Sequence, residues 1–159
     1  MKQKITIVLT ILCFLPSTIV AQETELLMER IEKTIKANEP KWKLLSKGFE
    51  RNSCLARWGQ PSSSNLPDPI KDEYLAVIRV HPSEKKAADE LQDAFLRTSS
   101  GDRGKQAPEI GQEAYLFKHG PERPVWLRFR QHNVSIELRA PSESSARRLA
   151  KLITDSISQ

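Results

Sequence analysis

The stretch Tyr74–Ala87 (YLAVIRVHPSEKKA) and its echo Val134–Ala146 (VSIELRAPSESSA) decide the fold. In the first, β-branched and aromatic residues form a strand pattern, in the second apolar and polar residues alternate, and in each Pro-Ser-Glu then opens a run with an apolar residue at helical spacing. Serine favours the N-cap and glutamate suits the positive end of the helix dipole, so both segments read as strand, turn, helix. Pro82-Ser83-Glu84 and Ala87 recur as Pro141-Ser142-Glu143 and Ala146, a constant offset of 59 residues. The first helix carries Ala87, Ala88, Leu91, Ala94 and Phe95; the second carries Ala146, Leu149, Ala150, Ile153 and Ile157.

Working outward, each unit is preceded by two further strands. Trp42–Phe49 and Cys54–Gln60 flank a turn at Arg51-Asn52-Ser53, and Glu113–Lys118 and Val125–Arg130 precede Val134–Arg139. Their short connectors make these strands antiparallel neighbours. The pattern predicts an α+β domain: a mainly antiparallel sheet of about six strands in a duplicated βββα order, with two helices on one face. A leading amphipathic helix precedes it, with Thr24 as N-cap and Leu27, Ile31 and Ile35 on its stripe. By element order alone, a duplicated βββα resembles the PsbP-type αβα sandwich of extracytoplasmic accessory proteins, a likeness that transfers no residues.

The organisation reads as a signal peptide over 1–21, the leading helix over 22–39 and one α+β domain over 40–159, with pseudo-repeats at 41–97 and 113–157. Lys2 and Lys4 precede an apolar run from Ile5 to Leu15, and Ala21 offers a small residue for cleavage. The run is too short to span a bilayer, so no transmembrane span is expected after cleavage. A secreted or periplasmic protein follows. Pro61–Pro69 (PSSSNLPDP) is a loop, and Thr98–Gly111 reads as a mobile one.

The 159 residues include 25 basic and 20 acidic side chains, a net charge of +5. Loss of Lys2 and Lys4 with the leader brings this to +3, too mild to imply a nucleic-acid partner. Cys13 would leave too, so Cys54 would stand alone, and its apolar neighbours Leu55 and Ala56 favour a buried thiol. His81, His119 and His132 lack metal-ligand spacing, and no motif points to a cofactor. No GxSxG motif or phosphate loop occurs, and the serines cluster in loops and at helix starts. Non-enzymatic function is the expectation.

What remains is the polar sheet face. Trp126, Arg128 and Arg130 alternate with Val125, Leu127 and Phe129, and Arg139 shares their face. With Gln131-His132 as the turn, Trp126 would oppose Glu137, and Arg128 would reach Glu137 diagonally. An indole among Arg128, Arg130 and Arg139 suits an anionic or planar ligand. The reading is therefore an exported module binding such a ligand or an envelope protein. The alternatives are a small exported hydrolase or transferase with a site assembled from distant residues, and an envelope-associated protein docking through helix 23–37.

Overall fold

The computed structural model describes residues 15–59 and 73–96 with the segments from 104 onward, omitting 1–14, 60–72, 97–103, 119, 121–122 and 159. Three helices and seven strands follow one another as α1 (Leu15–Asn38), β1 (Lys43–Glu50), β2 (Ser53–Gly59), β3 (Glu73–Val80), α2 (Glu84–Leu96), β4 (Lys105–Gln106), β5 (Glu113–Lys118), β6 (Val125–Gln131), β7 (Val134–Ala140) and α3 (Glu143–Ile157). The protein is α+β, and all neighbouring strands are antiparallel in the order β1-β2-β3-β7-β6-β5-β4.

Alternation along the strands divides the sheet cleanly. One face, here face A, carries Ala76, Ile78 and Val80 beside Leu138, Ile136 and Val134, with Leu127 and Phe129 next to them. Two helices seal it. Leu27, Met28, Ile31 and Ile35 of α1 and Ala146, Leu149, Ala150 and Ile153 of α3 join these strands in one core cluster. α3 starts on a capping box in which the Ser142 hydroxyl accepts from the Ser145 amide and Ser145 reaches back. α1 runs continuously from Leu15 through Ala21, and Val20 packs on the core. Thr24 is therefore inside the helix and not its N-cap: it is buried, and its hydroxyl donates to the Val20 carbonyl at 2.8 Å.

Three further expectations are corrected. The sheet has seven strands and not about six, because Lys105-Gln106 pairs with Leu116 and Tyr115. Two residues are too few to show an alternating pattern, which is why the sequence reads as a mobile loop there. In fact Ala107 and Ile110 just beyond it are buried in the core. The order is consequently βββα followed by ββββα, not a duplicated βββα.

The helices also do not share a face. α2 lies on the opposite side, face B, where Leu91 and Ala94 meet Arg79, Arg128 and Glu137. Its buried Ala87 and Leu91 stand outside the main core cluster. The reason is parity. An offset of 59 is odd, so it maps Ala76, Ile78 and Val80 onto Ser135, Glu137 and Arg139, which point the other way. The same Pro-Ser-Glu turn therefore leaves the pleat on opposite sides. Helices therefore cover both faces of the sheet, α1 and α3 on one and α2 on the other.

Two hairpin turns fix the end of β3. Arg51 and His132 both hold φ of 52°, and each is followed by an asparagine. Asn52 donates its side-chain amide to the Val80 carbonyl at 2.9 Å, and Asn133 donates to the His81 carbonyl at 2.8 Å. Backbone bonds from Val80 and His81 return to the same two asparagines.

Because α1 supplies a quarter-turn stripe of the core, it is not a detachable docking helix. Ile31→Ala should cost roughly 2–5 kcal/mol, as large-to-small changes in dry cores do, and lower the urea midpoint accordingly. Deleting 22–39 should leave no cooperative unfolding transition, where a separable helix would leave the sheet folded.

Candidate functional site

Face B presents three rows of side chains across the sheet. The first runs Phe117, Trp126, Arg139, Leu75 and Arg57; the second Tyr115, Arg128, Glu137, Val77 and Leu55; the third Glu113, Arg130, Ser135, Arg79 and Ser53. All four residues singled out in the sequence lie on this face. The turn is His132-Asn133, one residue later than expected, so the register differs by two: Arg128 faces Glu137 directly, and Trp126 faces Arg139.

That register divides the four. Arg128 is occupied: its Nε donates to Glu137 at 3.2 Å, its Nη1 donates to the Ala94 carbonyl at 2.9 Å, and its guanidinium lies 5.4 Å from the Phe117 ring centre. Phe95 of α2 stacks on Tyr115 with centroids 4.3 Å apart, so this end of the helix is pinned to β5 and β6. Arg130 is occupied as well, donating to Glu113 at 3.1 Å and to Gln112 at 2.9 Å. Gln112 is set by Gly111, whose φ of 58° and approach to the Arg130 carbonyl leave no room for a Cβ. Tyr115, bonded to Glu113, has its phenol pKa raised by burial first and by that hydrogen bond second.

Trp126 and Arg139 remain together. Both are half-buried, and the guanidinium sits 5.8 Å from the indole ring centre. Among the described residues Arg139 has no carboxylate partner. An aromatic plane beside an uncommitted cation can stack on a flat molecule or pair with an anion.

Under α2 lies a constellation that sequence reasoning missed. His81 and Ser135 are each 6% exposed, and His81 Nε2 lies 2.8 Å from Ser135 Oγ. His81 Nδ1 is 3.7 Å from Glu90, which also pairs with Arg79 at 3.3 Å. Hydroxyl, imidazole and carboxylate stand in the order of a nucleophilic triad. They come from β7, the end of β3 and α2, at no fixed spacing; the only signal was a serine on a strand face otherwise filled by charged residues.

The chemistry open to this cluster is limited by its surroundings. The space beside it is about 20 Å³, room for one water. β7 is paired on both sides, so its amides are in the ladder and do not form an oxyanion hole. The arrangement is a polar staple holding α2 to the sheet. Burial holds the His81 imidazole below its ordinary pKa, with Arg79 and Lys86 adding to this against the pull of Glu90. Elsewhere, burial pushes the Cys54 thiol up to about 11, and the cysteine is free and buried as its apolar neighbours suggested.

Two grooves flank α1. One, of about 400 Å³, lies between Leu26, Arg30 and the His132-Asn133 turn. The other, of about 500 Å³, lies where α1 gives way to β1, with Ile35, Trp42 and Trp58 at its floor and Lys36 and Lys43 at its rim. Trp42 is stacked on Tyr74 at 4.0 Å.

The chain matches no known protein-family model and no curated protein.

The His81 staple makes stability depend on pH. The unfolded imidazole titrates near 6.5 and the native one lower, so the unfolded chain takes up the proton first. Stability should be full above about pH 7, fall as pH drops through 6.5, and level off below the native pKa. Urea midpoints measured against pH should show this slope, and His81→Gln should remove it. The buried, largely protonated Cys54 should resist iodoacetamide at pH 8 until urea unfolds the protein.

Proposed function

We propose that the protein is an exported, non-enzymatic binding module that takes an anionic or planar ligand, or a partner presenting one, on the Trp126–Arg139 row of face B. Export rests on the basic start, apolar run and small residue at Ala21. The carrying observation for the site is the cross-strand pair itself: an indole and a guanidinium 5.8 Å apart, Arg139 being the one arginine of the three not committed to a carboxylate or carbonyl among the described residues. Leu75, next in the row, extends the platform with apolar surface, and Arg57 beyond it is paired with Glu73 at 2.6 Å.

Native mass spectrometry of the protein isolated from its host tests both parts. A chain beginning at Gln22 supports export, and one retaining Met1 overturns it. Bound mass that disappears on denaturation identifies the ligand. Trp126→Ala and Arg139→Ala should each weaken its binding at least about fivefold, the equivalent of the ~1 kcal/mol that such a contact contributes. Undiminished affinity in both variants moves the site elsewhere.

A second reading, a small exported hydrolase, is favoured by the 2.8 Å contact of Ser135 with His81. A fluorophosphonate probe separates the two. Ser135 should stay unmodified in the folded protein under the binding-module reading. A Ser135 adduct that vanishes in His81→Ala would establish the hydrolase instead.

A further inference from the structure

We infer that the outer edge of β1 docks the protein on an anionic membrane surface, independently of the ligand row on face B. The observation is an anomaly of burial. Among the described residues β1 pairs only with β2, and every residue of it except Leu44 is exposed. Yet it carries Leu45 and Phe49, 47% and 42% exposed, and Leu55 across the hairpin is 46% exposed. Large apolar side chains concentrated at one sheet edge mark an interaction surface.

The charges say what kind. Lys41, Lys43 and Lys47 alternate with these apolar residues, and Lys36 from the end of α1 shares a groove with Lys43. Of the acids nearby, Glu32 is taken by Lys47 at 2.7 Å, and that hydrogen bond, with Glu29 adding to it, raises the pKa of the lysine; Glu50 at the end of β1 leaves the four lysines in excess. An acidic surface is the complement.

A second copy of the chain fits poorly. The register breaks between Leu44 and Ser46, so the edge ladder is interrupted, and bulges and lysines are the features that stop edge strands from pairing. A folded acidic protein fits less well than a bilayer for a geometric reason. Phe49 opposes Cys54 and projects on face A, whereas Leu55 projects on face B. A rigid partner would meet one of these sides; a fluid interface receives both, with lysine stems reaching to the headgroups. The attachment proposed is peripheral, through exposed side chains of β1; no described helix is long and apolar enough to cross a membrane.

Flotation of the host-processed chain with vesicles tests this. Binding is expected to phosphatidylglycerol and phosphatidylcholine in equal parts, not to phosphatidylcholine alone, and should weaken as salt rises. Lys43→Glu should lower partitioning at least about fivefold, and Leu45→Ser should lower it at both low and high salt. Both positions are exposed, so each variant should keep the parent's unfolding midpoint. Lys118→Glu, the same charge change on β5, should leave binding within about twofold. Absence of vesicle binding overturns the proposal, as does an equal loss in Lys118→Glu. A dimer dissolved by Leu45→Ser without vesicle binding assigns the edge to a second copy. Binding to polyglutamate without vesicle binding assigns it to an acidic polypeptide.

Discussion

Keeping face A of the sheet dry is the constraint on which the rest of the structure depends. Ile78, Ile136, Leu127, Leu138 and Phe129 form an apolar surface that must be covered, and it takes two helices to do so. The first and last helices, α1 and α3, lie side by side on it and touch each other as well as the strands. Dispersion and removal of apolar area from water act together here, since voids in such a layer cost both. Elements far apart in sequence are thereby bound into one cooperative unit.

Once face A is taken, α2 has only the other side. Face B was built for water, with Arg79, Arg128, Glu137 and Ser135 where it seats. The polar groups beneath the helix are therefore paired instead of removed: Arg128 holds the Ala94 carbonyl and Glu137, Glu90 holds Arg79, and His81 shares a contact with Ser135. Partly exposed ion pairs add little stability of their own. Their effect is to fix where α2 lies, because a shifted helix would leave these groups unpaired under apolar cover. The clamping of Val80 and His81 by Asn52 and Asn133 serves the same end, since it places the imidazole under the helix.

The candidate site was legible in part. Alternation in Val125–Arg130 and Val134–Arg139 put Trp126, Arg128, Arg130 and Arg139 on one face, and they are there. Which of them is available turned on a register difference of two residues, decided by whether the turn began at Gln131 or His132. Nothing local separates those turns strongly, because neither residue is a glycine; the left-handed His132 is held by the pairing on either side. The Ser135, His81 and Glu90 cluster was illegible for another reason. It depends on α2 crossing face B, and no spacing records a crossing. The parity of the echo did record the side: apolar positions at 76, 78 and 80 fall out of phase with 134, 136 and 138 at an offset of 59.

The amino-acid sequence by itself determined most of the elements and their faces: six of the seven strands, the helix opened by Ser142, the apolar stripes of α1 and α3, and the division of β6 and β7 into a wet and a dry side. These follow from periods of 2 and 3.6 residues and from capping, which act within a few residues of chain. Tertiary structure alone decided the seventh strand, the partners of each arginine, the bare edge of β1 and the closure of His81 beneath α2. Each of those depends on which surfaces compete for the same cover, and that competition is settled between segments distant in the chain.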